Sequence, residues 1–211
     1  MNKIIRKIQY SEKVYRFDVE APLIAKSRKA GNFVIIRVDA NSERMPLTIA
    51  DADTEKGTIT LVVQKVGLSS TKLCNLNEGD EIHDVVGPLG NPTHIENFGT
   101  VLCAGGGVGV APMLPIIKAL KAAGNRVLSV IAGRSKDLVI MEDEVRASSD
   151  ELIIMTDDGS YGEKGVVTVG MEKLIQQEHI DKAFAIGPPI MMKFCCLLTQ
   201  KYNLPTDVSL N

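Results

Sequence analysis

The sequence predicts two domains, a small antiparallel β-barrel followed by an α/β domain with a doubly wound parallel sheet. Up to about Asn97, apolar and polar residues alternate in short runs separated by glycine-containing turns. After Thr100 the pattern changes to strand followed by helix, repeated several times, which predicts a parallel sheet with helices on both faces. The 211 residues suffice for two small domains, which we place at residues 1–98 and 99–211.

The first half is a series of short predicted strands. Ile59, Leu61 and Val63 alternate with polar residues, which is the period of two expected of a half-buried strand. Further strands are predicted at residues 14–19, 33–38 and 82–86. Short strands separated by turn residues are typical of a small antiparallel barrel.

The second half alternates strands and helices. Met113, Ile116 and Leu120 recur at helical spacing, and Gly124 stands where that helix should end. The other predicted helices cover residues 138–147 and 169–177, with a last one after Met191. Strands are predicted at residues 101–104, 127–132, 152–156, 183–186 and 208–210.

Charge and composition exclude several classes of function. A net charge of −2 gives no electrostatic reason to expect a nucleic acid or an anionic membrane as partner. Residues 98–117 carry no charge, but their glycines and prolines predict a strand, a turn and a helix start, so no membrane span is expected. The N-terminus lacks the apolar core of a signal peptide, and the four cysteines have no metal-binding spacing. We therefore expect a cytoplasmic protein with reduced thiols and no metal site in this chain.

A glycine-rich loop joins the first strand of the second half to its helix. Residues 101–112 read VLCAGGGVGVAP. Glycine lets the backbone approach a pyrophosphate, and a helix N-terminus offers free N–H groups and a positive dipole end. Pro112 occupies the last glycine position of G-x-G-x-x-G, so a tight turn without a ligand is the alternative interpretation. The location of the loop after the first parallel strand favours a dinucleotide site.

Two further turns are predicted at the same edge of the sheet. Asp157, Asp158 and Gly159 follow the third strand of this half, and Gly187 with Pro188 follows the fourth. Taken alone, each is better explained by ordinary turn chemistry. Because the carboxyl ends of parallel strands meet at one edge, the two turns and the glycine loop together predict a three-sided site.

Four segments, in this order along the chain, resemble the ferredoxin–NADP reductase superfamily. Residues 44–48, RMPLT, resemble its R-x-Y-[ST] flavin motif, and residues 67–71, GLSST, resemble its flavin-pyrophosphate loop. Residues 105–112 resemble its nicotinamide loop, and residues 187–191 resemble its C-G-x-x-x-M end motif. The resemblance covers essentially the whole chain and implies a flavin-binding barrel followed by a nicotinamide-binding α/β domain.

Within the superfamily the chain is similar to two groups of complex subunits. These are the electron-transfer subunits of NAD-dependent dihydroorotate dehydrogenase and the small subunits of NADH-dependent ferredoxin:NADP oxidoreductase, also described as sulfide dehydrogenase. PLTIAD at residues 46–51 and GPLGNPT at residues 87–93 favour the second group. Both groups carry a C-terminal cysteine cluster with a 2Fe–2S centre, which is expected here only if the natural chain continues beyond Asn211. The resemblance implies a catalytic or electron-accepting flavoprotein or iron–sulfur subunit as partner.

The resemblance assigns FAD to residues of the first domain, with Gln64 expected to line the flavin through its backbone. Arg44 would hold the flavin phosphates, although a solvated loop arginine is the simpler interpretation of this residue alone. Thr48 would hydrogen-bond near flavin N5, and Leu47 stands where the family has the tyrosine that stacks on the flavin. The hydroxyls of residues 69–71 would serve the pyrophosphate while also capping a helix. The expected flavin contacts are Arg44, Pro46, Leu47, Thr48, Gln64, Gly67, Ser69, Ser70 and Thr71.

The resemblance assigns the nicotinamide dinucleotide to the second domain. In this family the residues after the third strand approach the adenosine ribose, and carboxylates such as Asp157 and Asp158 accept a ribose hydroxyl but repel a 2′-phosphate. This favours NAD(H), whereas Arg134, after the second strand, is the contrary feature because an arginine accommodates that phosphate. The expected contacts are Gly105, Gly106, Gly107, Val108, Gly109, Pro112, Arg134, Asp157, Asp158, Gly187, Pro188 and Met191.

The implied activity is a hydride transfer between NAD(H) and FAD, followed by electron transfer to a partner subunit. Since the cofactors carry this chemistry, no catalytic acid–base side chain is predicted. Two alternatives stay open. One is a stand-alone NAD(P)H-dependent flavin or ferredoxin reductase, and the other, of a different class, is a non-catalytic nucleotide-binding module.

Overall fold

The computed structural model describes residues 2–209, which form two compact units divided between Thr93 and His94. The boundary expected from the sequence, between residues 98 and 99, lies a few residues later, where a stretch without regular secondary structure (residues 91–98) ends. Leu210 and Asn211, after which the expected iron–sulfur segment would start, lie outside the described residues.

The first unit is built on seven antiparallel strands and two short helices. The strands are β1 (Asn2–Gln9), β2 (Val14–Glu20), β3 (Phe33–Arg37), β4 (Met45–Asp53), β5 (Thr58–Gln64), β6 (Glu81–Ile82) and β7 (Asp84–Leu89). The helices are α1 (Pro22–Ser27) and α2 (Leu68–Cys74). The strand order across the sheet is β6-β1-β2-β5-β4-β3-β7.

The two edges of this sheet are joined by a single residue. β6 and β7 stand at opposite ends of the strand order, yet only His83 separates them along the chain. The edges must therefore approach each other, and the sheet curls into the predicted antiparallel barrel. The sequence predicts one strand over residues 82–86, which is wrong at this position. The strand is interrupted at His83, whose N–H donates to the carbonyl of Val38 (3.3 Å), because here the chain passes from one edge to the other.

The barrel core consists of alternate strand residues. Phe17, Ile36 and Leu61 are fully buried, and α2 adds the fully buried Leu73. Each such side chain contributes roughly 1.5–3 kcal/mol relative to exposure. This core supports β4 and α2, which carry the two segments predicted to bind flavin.

The second unit is a six-stranded parallel sheet with four helices. The strands are β8 (Thr100–Gly106), β9 (Arg126–Gly133), β10 (Glu151–Thr156), β11 (Glu163–Lys164), β12 (Lys182–Ile186) and β13 (Thr206–Val208), in the order β11-β10-β9-β8-β12-β13. The helices are α3 (Val110–Ala122), α4 (Glu142–Ser148), α5 (Val167–Gln177) and α6 (Pro189–Lys201).

The helices cover both faces of this sheet. Leu102, Leu128 and Ile153 pack on one face in a cluster that includes residues of α5 and α6. The alternate residues Val101 and Cys103 are buried on the other face, where α3 and α4 pack against each other. The predicted doubly wound architecture is therefore confirmed.

Two predicted elements of this unit differ from the structure. The helix predicted at residues 138–147 begins only at Glu142, because Met141 has a left-handed backbone (φ 56°) that interrupts a helix. The last strand, predicted at residues 208–210, is Thr206–Val208, and Leu210 lies outside the described residues. Among the helices described between residues 2 and 209, none has the length and apolar character needed to cross a membrane.

Candidate functional site

The glycine loop presents bare backbone to open space. It runs from the end of β8 through a short 3₁₀ turn, Gly107–Gly109, into α3, of which Pro112 is the third residue. Gly107 has a φ of 55°, in the left-handed region that favours glycine. A Cβ placed on Gly107 would meet no atom within 4 Å. Close approach of a phosphate to the backbone requires this combination of shape and access.

The turn after β12 packs directly against this loop. A Cβ on Gly109 would lie 2.5 Å from the carbonyl oxygen of Ile186 and 2.7 Å from Cα of Gly187. A Cβ on Gly106 would collide with Sδ of Met191, and one on Gly187 would lie 2.7 Å from Cε of Met191. The structure thus brings two of the three predicted sides together, with glycine at the positions where Gly109 meets the backbone of residues 186–187 and where Gly106 and Gly187 meet the side chain of Met191.

The N-terminus of α3 fits an anion. No side chain caps this 13-residue helix, and its first turn carries no acidic residue. The N–H of Val110 donates to the carbonyl of Gly107 in the preceding turn and Pro112 has no N–H, so this end attracts an anion chiefly through the positive end of the helix dipole. The pyrophosphate of a dinucleotide is the type of group that such an end binds.

The third predicted side lies at the ends of β9 and β10. The N–H of Asp157 donates to Gly133 and that of Asp158 to Arg134, each at 3.2 Å. The Asp158 carboxylate accepts the N–H of Ser160 (2.9 Å), and its hydrogen bonds with Ser160 lower its pKa. The side chains of Asp157 and Arg134 are exposed and make no hydrogen bond or ion pair within residues 2–209. Asp157 thus has its whole carboxylate free, whereas one oxygen of the exposed Asp158 carboxylate already accepts an N–H.

Tyr161 anchors this third side and was not singled out from the sequence. Its hydroxyl donates to Oε2 of Glu142 (3.0 Å), and Thr156 Oγ1 donates to its carbonyl (2.6 Å). The Glu142 hydrogen bond is the main cause of a raised Tyr161 pKa. Nζ of Lys136 lies 5.3 Å from the ring centroid. The contacts with Glu142 and Lys136 join residues that are about 20 positions apart or more, so no local motif signals them.

In the barrel, β4 places its predicted flavin residues on two different faces. Thr48 pairs with Phe33, Leu47 with Val34, and Pro46 with Ile35. Leu47 packs against the barrel core beside the fully buried Val34. Because neighbouring strand residues alternate, the side chains at positions 46 and 48 lie on the face away from that core.

Arg44 immediately precedes β4 and is exposed. Its guanidinium makes no hydrogen bond or ion pair with any described residue. A free guanidinium at the start of a strand has its fork of donors available for a phosphate. The hydroxyl of Thr48 is likewise without a hydrogen-bond partner in the described part of the chain.

The loop before α2 divides its hydroxyls between two tasks. Oγ of Ser70 accepts the N–H groups of Val66 (3.0 Å) and Gly67 (2.9 Å) and donates to the Gly67 carbonyl (3.1 Å). This saturates Ser70, so its hydroxyl holds the loop instead of contacting a ligand as expected. The hydroxyls of Ser69 and Thr71 are half-buried and make no hydrogen bond within residues 2–209.

A single ion pair connects the two flavin segments. Nζ of Lys72, in α2, lies 3.0 Å from Oδ2 of Asp39 and 3.3 Å from Oγ of Ser42. The hydrogen bond from Lys72 is the main reason why the pKa of Asp39 falls to about 2. Since residues 39–42 form the turn before Arg44, this pair holds α2 beside the start of β4. Gln64, at the end of β5, is exposed just before the Gly67 loop.

The cysteines are mostly buried side chains. Cys74, Cys103 and Cys195 are buried, and Cys196 is half-buried. Burial raises the pKa of Cys195 to about 12. Within residues 2–209 no three His, Cys, Asp or Glu side chains are grouped to hold a metal ion.

Comparison with known proteins agrees with the division of the chain between Thr93 and His94. The family model described as oxidoreductase FAD-binding domain matches residues 3–94. Over 211 residues the chain is 48% identical to a dihydroorotate dehydrogenase B (NAD(+)) electron transfer subunit homolog of Thermotoga maritima, covering 100% of this chain and 74% of that protein. It is 31% identical over 194 residues to the electron transfer subunit of Fusobacterium nucleatum dihydroorotate dehydrogenase B (NAD(+)), covering 88% and 74%.

Solved structures agree as well. The chain matches a chain of the NADH-dependent reduced ferredoxin–NADP oxidoreductase with a TM-score of 0.95 and 45% identity, covering 100% of this chain and 76% of that one. Phthalate dioxygenase reductase, at 20% identity and a TM-score of 0.74, shares the fold. The chain belongs to the ferredoxin–NADP reductase superfamily, among the flavoprotein subunits related to the electron transfer subunit of dihydroorotate dehydrogenase B.

Proposed function

We propose that this chain is an electron-transfer subunit that binds FAD on the barrel unit and NAD(H) on the α/β unit. The observation that carries the proposal is the glycine loop beside the uncapped N-terminus of α3, packed on Gly187 and Met191. It stands in a chain whose other unit matches the FAD-binding domain family. The names of the relatives, which describe electron transfer subunits, support a partner subunit that receives the electrons.

The barrel residues bind and orient the flavin. Arg44 has its guanidinium free for the FAD phosphates, and Ser69 and Thr71 have free hydroxyls at the start of α2 for the pyrophosphate. Ser70 keeps the Gly67 loop in the conformation that presents them. The unpaired hydroxyl of Thr48 is the donor for the flavin ring near N5. Pro46 and Gln64 border this surface, whereas Leu47, packed against the barrel core, supports it from behind.

The α/β residues bind the dinucleotide mainly through backbone. Gly105 to Gly109 let the pyrophosphate approach the backbone closely, and the N-terminus of α3 adds the positive end of its dipole. Gly187, Pro188 and Met191 form the opposite wall, where Met191 lies against Gly106. When bound, the cofactors supply the redox chemistry, a hydride moving between nicotinamide and flavin and electrons then passing onward. The chain contributes binding, orientation and exclusion of water.

The choice of NAD(H) over NADP(H) rests on Asp157. Its exposed, unpaired carboxylate accepts a ribose hydroxyl and repels the 2′-phosphate of NADP(H). Arg134, equally exposed at the neighbouring strand end, is the residue that opposes this preference. Asp158 contributes less because its carboxylate already accepts the Ser160 N–H.

The proposal is tested by the visible spectrum of the purified protein after incubation with FAD. We expect flavin absorption bands that bleach on anaerobic addition of NADH and bleach more slowly with NADPH. A colourless protein that takes up no FAD would indicate the non-catalytic nucleotide-binding module instead. Equal bleaching rates with NADH and NADPH would contradict only the role proposed for Asp157 in the preference for NAD(H). The proposed electron-transfer function would stand. Co-purification of a second protein with this chain from its native source tests the proposed partner subunit.

A matched pair of variants tests the cofactor preference. Asp157→Asn removes the free carboxylate, and we expect the NADPH-to-NADH ratio of flavin reduction rates to rise about tenfold, from lost repulsion of a few kcal/mol at most. Asp158→Asn removes the same charge one residue away and should change the ratio much less. Equal ratios in the two variants would show that total loop charge, not Asp157, sets the preference.

A further inference from the structure

Asn32 is a buried polar side chain whose hydrogen bonds join three segments of the barrel. Only 6% of the residue is exposed. Its Oδ1 accepts the N–H of Lys29 (2.7 Å), and its Nδ2 donates to the carbonyls of Leu89 (3.1 Å) and Gly90 (3.0 Å). Every donor of this amide is used, and none of these partners lies among the residues assigned to FAD.

The backbone of Asn32 extends the connection to β4. Its carbonyl accepts the N–H of Ile49 (3.1 Å), the residue that follows Thr48. The next residue, Phe33, pairs with Thr48 on one side and with Leu89 on the other. One residue therefore holds the end of β7 through its side chain and the flavin segment of β4 through its backbone.

The same contacts restrict the ring of Phe33. Gly90 has a φ of 80°, and a Cβ there would lie 2.8 Å from Cε1 of Phe33, so the ring rests against the Gly90 backbone. The Gly90 carbonyl is the group that Asn32 holds. Directly paired residues share one face of a sheet, so Phe33 stands beside Thr48 on the face away from the barrel core.

We propose that Asn32 is a positioning residue for the flavin, because it fixes the surface formed by Phe33 and Thr48 on which the flavin ring binds. This inference rests on the proposed function, which places the flavin at Thr48. Asn32 acts through its neighbours and does not itself touch the cofactor. Without its amide the end of β7 is released, and the ring of Phe33 loses the wall against which it rests.

The α/β unit contains a matched residue for comparison. Asn125 is 3% exposed. Its Oδ1 accepts the N–H groups of Phe98 (2.8 Å) and Gly99 (3.2 Å), and its Nδ2 donates to Glu96 and Leu120 (both 2.8 Å). It precedes β9, at the edge of the sheet opposite the glycine loop. The same substitution there breaks an equivalent set of hydrogen bonds in the other unit, at the end of its sheet away from the glycine loop.

The experiment compares Asn32→Asp with Asn125→Asp in the full chain. A carboxylate keeps the acceptor but replaces the amide donors, leaving carbonyls unpaired, so both variants should unfold at lower temperature than the wild type. FAD is titrated into each apoprotein and followed by flavin fluorescence. We expect the FAD Kd of Asn32→Asp to rise about tenfold and the absorption bands of bound FAD to shift. Asn125→Asp should bind FAD like the wild type.

A second variant keeps the inference testable if Asn32→Asp does not fold. Phe33→Leu retains every hydrogen bond of Asn32 and an apolar side chain, so it should fold, yet it removes the ring that Asn32 positions. We expect weaker FAD binding and the same spectral shift. Equal FAD affinity in Asn32→Asp and Asn125→Asp, or unchanged affinity in Phe33→Leu, would overturn the inference. Wild-type protein that binds no FAD would instead overturn the proposed function as a whole.

Discussion

The two proposed cofactor regions are built from opposite materials. Around the glycine loop the backbones of β8 and β12 touch, so that a methyl group on Gly109 would lie 2.5 Å from the Ile186 carbonyl. In the barrel the proposed contacts are side chains, and the guanidinium of Arg44 and the hydroxyls of Thr48 and Thr71 have no partner in the described part of the chain. The glycine-loop region depends on the absence of side chains at its glycines. The barrel region depends on polar side chains that have no partner among the described residues.

This difference predicts how each region responds to substitution. Where backbones are in contact, an added methyl group must move a strand or a helix. Nucleotide binding and the free energy of unfolding should therefore decrease together. Where an exposed side chain has no partner in the fold, its removal affects the ligand and leaves stability nearly unchanged. The predictions below test this contrast, beginning with the largest expected effect.

Gly109→Ala should have the largest effect on nicotinamide binding. The new Cβ meets backbone atoms of Ile186 and Gly187, which cannot rotate away as a side chain can. We expect loss of NADH-dependent flavin reduction and a decrease of about 1–3 kcal/mol in the free energy of unfolding. Stopped-flow absorbance and denaturant titration measure the two quantities.

Gly170→Ala is the control for overpacking in the same unit. Its Cβ would lie 2.9 Å from Cγ1 of Val130, a side-chain atom in the core between α5 and the sheet. It should lower stability by a similar or smaller amount while flavin reduction by NADH persists. If both variants reduce flavin at the wild-type rate, the contact between Gly109 and β12 does not shape the nucleotide region.

Arg44→Ala should weaken FAD binding without destabilising the barrel. The guanidinium is exposed and has no ion partner within residues 2–209, so the fold loses little. A charge-assisted bond to phosphate contributes roughly 1.5–3 kcal/mol, which corresponds to an increase in FAD Kd of about 10- to 100-fold. Arg6→Ala removes the same charge from an exposed position of β1, and its FAD Kd should stay near that of the wild type. A similar loss of FAD affinity in both variants would show that Arg44 acts only through the net charge of the protein and not through a direct contact with FAD.

Asp39→Asn should have the smallest effect, and one that depends on pH. The pKa of Asp39 is about 2 in the folded chain against an ordinary 3.8, so its ion pair with Lys72 stabilises the folded state fully above 3.8. That stabilisation is lost as pH falls through the folded pKa. The difference in melting temperature between wild type and Asp39→Asn should therefore shrink from pH 4 towards pH 2. The reason is that protonation of the Asp39 carboxylate removes its attraction for Lys72.

The control for this prediction is Glu43→Gln, which removes a nearby exposed carboxylate that has no ion partner among the described residues. An identical pH dependence in the two variants would show that general charge, not the Lys72 pair, is responsible. At neutral pH, Asp39→Asn should weaken FAD binding less than Arg44→Ala does. The reason is that Asp39 only holds α2 beside the turn, whereas Arg44 is proposed to contact the cofactor.

The sequence predicted the parts of the molecule that depend on local pattern. Alternation in β5 and helical spacing in α3 correctly predicted a strand and a helix. The expected half-burial of β5 was wrong, because residues 58–63 are buried on both faces of the strand. Local pattern was insufficient at Met141, where a left-handed residue delays α4, and at His83, where the barrel edges meet. At His83 the interruption depends on a residue far away in the chain, since its N–H donates to the carbonyl of Val38.

By itself the sequence determined the order of the two units, the family and the glycine loop, because these are recorded in periodicity and in short motifs. Only the tertiary structure decided which members of each motif are free to act. It assigned the Ser70 hydroxyl to its own loop, turned Leu47 towards the barrel core, and left Asp157 open while Asp158 accepts the Ser160 N–H. The physical reason is that a polar group has a limited number of hydrogen bonds, and whether the fold has already used them depends on neighbours in space.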